Sequence, residues 1–266
     1  MQDNKAPDKL PVSVVIVTKN EELNIAGALQ SACMAQEIVI VDDYSTDRTI
    51  DICRAYNARI YQNHWQGFAP QKQFAIDHAQ GPWVFLLDSD ERLTPELVQE
   101  LHQVIAEAGA HFEPGAALSR GSLTPRPSCS GKEAAYDGFY VPRKNFFLGK
   151  WIRHSGWWPD NTLRLFKKDR AHMHQRQVHE KVLLDGRAGN LRNPIEHYSY
   201  RDISDFIKRM DRYTTLAAEE LARTTVKSYT FAFKISLRLI WDFLAKSTAP
   251  SDLWTAYRTP LYMMML

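Results

Sequence analysis

The stretch Pro82-Trp83-Val84-Phe85-Leu86-Leu87-Asp88-Ser89-Asp90-Glu91 decides the fold. An unbroken apolar run, Trp83 to Leu87, ends abruptly in acids. Such a run reads as a strand buried on both faces, the pattern of a parallel sheet. Asp88 and Asp90 then fall at its carboxyl end, where open α/β sheets bind ligands. In an extended Asp-x-Asp, alternation puts both carboxylates on one side. Two hard oxygen ligands so placed suit Mg²⁺ or Mn²⁺, with diphosphate oxygens and water completing the shell. The competing reading is a solvated turn or a helix cap. The buried strand before it and the pattern upstream favour the ligand reading.

Upstream, Val12 to Val17 is β-branched and nearly all apolar, a second buried strand. Thr18-Lys19-Asn20-Glu21-Glu22 ends it, with Asn20 as the expected N-cap and two acids in the first helical turn. Ile25, Leu29 and Cys33 share one face of that helix. Glu37 to Val41 is the next strand and ends in Asp42-Asp43-Tyr44-Ser45-Thr46-Asp47-Arg48-Thr49. A helix with Ile50, Cys53 and Tyr56 follows, then a short strand, Arg59 to Tyr61. Pro70 suits the first turn of a helix running to about Ala79. Thr94-Pro95-Glu96 starts another. The order βαβαβαβα implies a parallel, doubly wound, Rossmann-like sheet. Asp42 and Asp43 face opposite ways at a strand end, so one can accept from a nucleoside while the other holds the loop. Ser45, Thr46 and Asp47 read as caps of the next helix.

Composition bounds the alternatives. A chain of 266 residues can bury one substantial core. With 44% hydrophobic and 24% charged residues it is ordinary for a globular protein. A net charge of +2 does not suggest nucleic-acid binding. Cys33, Cys53 and Cys129 are too few and too scattered for a disulfide framework or a zinc site. Met1 to Pro11 has no apolar core of a secretory signal, and no run is long and apolar enough to span a bilayer.

Three motifs now stand in order: Val14-Val15-Ile16-Val17-Thr18-Lys19-Asn20-Glu21, Val41 to Thr49, and Leu87-Asp88-Ser89-Asp90-Glu91. Together they closely resemble the family 2 glycosyltransferases. The resemblance implies a GT-A fold, a nucleotide-sugar donor, a divalent cation and inversion at the anomeric carbon. It places Thr18, Asn20, Glu21, Asp42, Asp43 and Asp88 around the nucleotide, and Asp88 and Asp90 at the diphosphate and metal. Tyr44 is a departure, since the family often has glycine there; it should stiffen the turn.

From Tyr136 the pattern changes. Gly138 to Asp160 is crowded with aromatic and cationic side chains, and Asn161 to Phe166 reads as another strand. Aromatic faces bind sugar rings and cations bind phosphate. With Val178-His179-Glu180-Lys181-Val182, this half resembles the lipopolysaccharide inner-core glucosyltransferases of the same family. The likeness runs roughly from Val12 to Leu221. It implies UDP-glucose as donor and a lipid-linked, phosphorylated, heptose-containing oligosaccharide as acceptor. Arg143, Lys150, Trp151, Arg153, His154, Trp157, Trp158 and Arg164 are the candidate acceptor residues. The competing reading makes the tryptophans core. Inversion needs a general base. Glu180 is the candidate, with His179 positioning it; Asp160 is the runner-up. His197 is a further candidate for the metal or phosphate, against a structural role.

The chain divides, on this reading, into a catalytic domain over 1–200 and a helical region over 201–266. The first holds a nucleotide-sugar half (11–110), an insertion (113–135) rich in Gly, Pro and Ser, and an acceptor half (136–200). Ile203 to Leu221 carries a periodic apolar face. Tyr229 to Ala245 joins a wide apolar face to Lys227, Lys234, Arg238 and Lys246, a combination suited to a membrane interface or to packing on a partner. A Gly-rich segment usual in the resembling enzymes is missing from this end. The expected location is cytoplasmic, on the inner face of the bacterial cytoplasmic membrane, with no nucleic-acid partner. Same-class alternatives are transfer to polyprenyl-phosphate or another envelope glycan; a non-catalytic nucleotide-sugar-binding protein is the different-class alternative.

Overall fold

A computed structural model describes residues 9–109, 136–154, 157–174, 181–200 and 202–224. The first half alternates strand and helix: β1 (Leu10–Thr18), α1 (Ile25–Ser31), β2 (Ala35–Asp42), α2 (Thr49–Ala55), β3 (Arg59–Gln62), α3 (Phe68–His78) and β4 (Trp83–Leu86). Then come β5 (Glu91–Leu93), α4 (Pro95–Gly109), β6 (Gly138–Phe147), β7 (Lys150–Trp151), β8 (Asp160–Lys167) and β9 (Ala171–Met173). The chain continues through β10 (Val182–Leu184), β11 (Ala188–Asn190), β12 (Ile195–Tyr200) and α5 (Ile203–Thr224).

The main sheet runs β3-β2-β1-β4-β8-β6-β12-β5, with β7 and β11 both paired to β6; β9 and β10 form a separate hairpin. The β3-β2-β1-β4 half is parallel throughout, with Val14 opposite Ile38 on one side and Phe85 on the other. β8 is antiparallel to both β4 and β6, so the second half is mixed. The mixed α/β class expected from the sequence is therefore present.

Alternation explains the two layers. Val14, Ile16, Ile40, Phe85 and Leu87 pack under α1 and α4, against Ile25, Leu29, Leu97 and Leu101. Val15, Val39, Val41, Val84 and Leu86 point the other way, to Ala75 and Ile76 of α3 and to Met173. Every residue of β4 is buried, which requires cover on both faces. Each fully buried aliphatic or aromatic side chain contributes about 1.5–3 kcal/mol.

The helix starts need two corrections. Asn20 does not cap α1; that helix begins at Ile25, after Asn24. Asn20 instead adopts a φ of 54° and bonds to the β2–α2 loop. Cys33 lies past the end of α1 and is exposed, because the helix stops at Ser31. Thr94 behaves as expected, its hydroxyl accepting from the Leu97 amide at 3.2 Å where α4 starts. The 113–135 insertion, the 229–245 segment, His179 and Glu180 lie outside the described residues.

Candidate active site

The chain winds from β1 to β2 on one side, while β4 adds to β1 on the other. The carboxyl ends of β1 and β4 therefore flank a topological switch point, the usual ligand crevice of an open α/β sheet. Thr18 ends β1, Asp88 follows β4, and Asp42 and Asp43 close the neighbouring β2, so all four lie along the same edge of the parallel half.

The first two motif loops are stitched together. The Asn20 amide donates to Ser45 Oγ at 2.8 Å, and Asn20 Oδ1 accepts from the Thr46 amide at 2.8 Å. The Glu21 amide donates to Thr49 Oγ1 at 2.8 Å, and the Glu22 amide to Asp47 Oδ2 at 3.1 Å. Asp47 also accepts from the Thr49 amide at 3.0 Å, so it serves the start of α2 as expected. Ser45 and Thr46 turn back to the first loop instead of capping. Asp42 is fully buried, its carboxylate accepting from the Ser45 amide and hydroxyl, so it is the acid that holds the loop. Asp43 is the second acid of the pair and is also buried. It is ion-paired to Lys19 and accepts from the Trp65 amide at 3.1 Å. The Lys19 hydrogen bond holds its carboxyl below the usual range against the opposing effect of burial. Tyr44 has a φ of 50° and its ring stacks on His64, centroids 4.2 Å apart. That left-handed backbone is the physical reason glycine suits this position.

Asp88 to Asp90 form a turn, not an extended segment: the Glu91 amide donates to the Asp88 carbonyl at 3.0 Å. The two carboxylates consequently meet different partners. Asp88 lies between Lys72 Nζ at 3.1 Å and Arg164 Nη2 at 2.8 Å. Asp90 faces His197 Nε2 at 3.5 Å and Arg209 Nη1 at 3.9 Å. Burial pushes the Asp88 carboxyl up, but Arg164, Lys72 and Arg143 overcome it and hold the group well below the usual carboxylate range. Burial and the charge of Asp88 likewise push Asp90 up, and His197 with Arg209 outweigh them. Both acids stay ionised at neutral pH.

Beneath them sits Glu91, with no exposed side-chain surface. It takes Arg164 Nη2 at 2.5 Å and the Asp88 amide at 3.0 Å, with Arg143 Nη1 at 3.7 Å. Arg92, the next residue, donates to the carbonyls of Asn24 at 2.6 Å and of Glu91 at 2.7 Å. This ties the turn to the first loop. A Cβ at Gly27 would fall on the Arg92 guanidinium, so the bare backbone of α1 makes room for it. The Tyr198 amide donates to the Asp90 carbonyl at 3.0 Å, fixing the turn from β12.

Beside this turn lies the aromatic and cationic region. Trp151 and Trp158 meet edge to face at 5.2 Å, and Lys144 and Arg153 lie over the Trp151 ring at 4.9 and 4.3 Å. Lys150 and His154 are exposed, while Trp157 is half-buried. Asp160 Oδ2 receives Arg143 Nε at 2.8 Å and Nη2 at 2.5 Å, and Asn145 Nδ2 at 3.2 Å.

The sequence model for glycosyl transferase family 2 matches residues 13–126. Residues 13–126 are thus similar to the family 2 glycosyltransferases. Over 224 residues this chain is 29% identical to a lipopolysaccharide core biosynthesis glycosyltransferase, LpsC, of Rhizobium meliloti, covering 80% of this chain and 72% of that protein. It is 25% identical to an uncharacterized glycosyltransferase of Rickettsia typhi, covering 88% and 75%. Among solved structures, Staphylococcus aureus TarS 1–349 matches at 17% identity and a TM-score of 0.47 over 80% of this chain. This chain spans 66%, just under two thirds, of that solved chain. Mycobacterium tuberculosis glucosyl-3-phosphoglycerate synthase, solved with Mn²⁺, UDP and glucosyl-3-phosphoglycerate, matches at 16% identity and a TM-score of 0.44, covering 85% and 83%. The GT-A expectation agrees with the parallel β3-β2-β1-β4 half and its mixed continuation.

The donor set can be tested against a divalent cation. No group of three or more His, Cys, Asp or Glu among the described residues forms a metal cage. Asp88 has both oxygens committed to cationic side chains, whereas the Asp90 contacts are long. The site thus fits an ion held by one or two protein ligands, Asp90 and His197, with the rest of its shell from phosphate and water, a mode natural to Mg²⁺. Arg164, expected at the acceptor, is buried behind Asp88 and Glu91 instead. Arg143 spans Glu91 and Asp160. Lys72, Glu91, Asn145, His64 and Arg209 were not singled out from sequence. Lys72 sits early in α3 and carries no local mark of its role; only the fold brings that helix to β4.

Proposed function

We propose that this chain is an inverting, divalent-cation-dependent glycosyltransferase. It moves a hexose, glucose from UDP-glucose, onto a lipopolysaccharide core heptose or a similar lipid-linked acceptor. The observation that carries the reading is the convergence of Asp43, Asp88, Asp90 and Lys72 on one switch-point crevice beside a cationic aromatic surface. In this reading residues 11–110 take the donor and 136–200 the acceptor. The named role of the Rhizobium meliloti relative supports the acceptor class. The basic and apolar sequence around Lys234 and Arg238 supports a place on the inner face of the bacterial membrane.

Asp43 accepts from the nucleoside while Lys19 keeps it ionised. Lys72, buried against Asp88 and a short way over the Phe68 ring, presents a positive charge near the leaving diphosphate. A divalent cation, when bound at Asp90, supplies further neutralisation of that leaving group. Trp151 and its flanking cations offer a ring face and charge to a phosphorylated sugar. For the base, Glu180 is preferred over Asp160, because one Asp160 oxygen already receives three donors.

A panel of nucleotide sugars tests the proposal. UDP-glucose should raise Tm more in Mn²⁺ than in chelator, since a ligand that binds only the native state stabilises it. It should also be slowly hydrolysed. Stabilisation without any hydrolysis or transfer would leave a nucleotide-sugar-binding protein; no stabilisation by any donor would sink the reading.

A further inference from the structure

Asn145, in the middle of β6, is buried and links the two sides of the site. Its amide nitrogen donates to the Trp157 carbonyl at 3.0 Å and to Asp160 Oδ2 at 3.2 Å. Both partners are acceptors only, so the two amide hydrogens are committed to them. The amide oxygen must then be the atom that faces His197 Nδ1, 2.6 Å away. An oxygen with no hydrogen cannot face an unprotonated ring nitrogen at that distance, because two lone pairs would oppose. Nδ1 therefore carries a hydrogen. Ser199 Oγ, 3.0 Å from the same nitrogen, can rotate its hydroxyl to accept from it as well. The other ring nitrogen, Nε2, is left to face Asp90 Oδ1 at 3.5 Å.

We propose that Asn145 is a positioning residue that locks His197 with its hydrogen on Nδ1 and presents Nε2 to whatever binds at Asp90. The chain of partners runs from Asp160 and Trp157 on the acceptor side, through Asn145 and His197, to Asp90 on the donor side. A partner that fixes an imidazole in this way typically changes the affinity of the group it serves by about 10–100-fold. Only the affinity arm of this inference rests on the proposed function; the proton position on His197 does not.

The test is nitrogen-15 NMR of the metal-free full chain, with His197→Gln identifying the His197 signals. The parent protein should show Nδ1 in its protonated form. Asn145→Ala should release the lock, because the Ser199 hydroxyl can then donate to Nδ1, and the Nδ1 signal should shift measurably toward the unprotonated form. Ser199→Ala should leave the proton where it is. Asn145→Ala should also weaken UDP binding in Mg²⁺ by about 10–100-fold while changing metal-free UDP binding far less. An unprotonated Nδ1 in the parent overturns the proposal without any variant. So does an Asn145→Ala protein whose His197 signals and Mg²⁺-dependent UDP affinity match the parent. If no variant or parent binds UDP, the functional reading fails, and the NMR result alone decides the role of Asn145.

Discussion

Arg164→Met removes the guanidinium that joins Asp88 to Glu91. The side chain is almost wholly buried, and Glu91 is entirely so. Taking one partner from a buried pair costs about 3–5 kcal/mol, because the remaining charge is left without compensation. Here Glu91 keeps Arg143 at 3.7 Å and Asp88 keeps Lys72 at 3.1 Å, which places the loss near the lower end, about 3 kcal/mol. At about 2–4 °C per kcal/mol for a chain of this size, Tm should fall by about 6–12 °C. The loss should also depend on pH. The folded Asp88 carboxyl is held well below its usual value, chiefly by Arg164 and Lys72 against burial. Such a group adds stability above its unfolded pKa of about 3.9, and the gain fades as pH falls through the folded value. Without Arg164 that gain shrinks, so the difference between parent and variant should hold from pH 7 down to about 4 and close only as pH falls further, through the lowered folded value. Urea unfolding across that range measures it. A loss under about 1 kcal/mol at pH 7, or one independent of pH, would refute the assignment of this network.

Asp90→Ala should abolish transfer and the Mn²⁺ dependence of UDP binding while the far-ultraviolet circular dichroism persists; normal turnover would remove Asp90 from the cation site. Glu180→Gln should keep donor affinity and cut turnover by about 10²–10⁴-fold, the usual worth of a general base; if Asp160→Asn loses activity instead, the base is Asp160. Gly27→Ala should push Arg92 off the Asn24 and Glu91 carbonyls, weakening UDP binding in Mn²⁺ more than in chelator. Equal binding in both conditions would make Arg92 a packing residue only. Reversing Lys234 and Arg238 to Glu should reduce sedimentation with anionic vesicles at low salt, at about 1 kcal/mol per cation, and spare donor hydrolysis. A parent chain that never binds vesicles defeats the membrane reading.

Local sequence alone determined the elements whose signal is periodic. Trp83 to Leu86 had to be a central strand, because an uninterrupted apolar run needs cover on both faces. The alternation in Val12 to Val17 and Ile38 to Val41 dictated which side chains meet α1 and which meet α3. Acids after buried strands marked the crevice, because strand ends of a parallel sheet share one edge. The partners of those acids were decided only by the tertiary structure. Asp88 meets Lys72 and Arg164, residues 16 and 76 positions away, through packing of α3 and pairing of β8 with β4. Nothing in the local sequence distinguishes an arginine that faces an acceptor from one buried under a carboxylate. Asn20 made the same point in reverse: its cap-like context was real, but a positive φ and the proximity of Ser45 and Thr46 gave its side chain a stronger partner across the loops. The orientation of Asn145, and through it the proton on His197, exists only where β6, β8 and β12 come together. A hydrogen bond's direction is set by all the partners around it, and those are assembled by the fold.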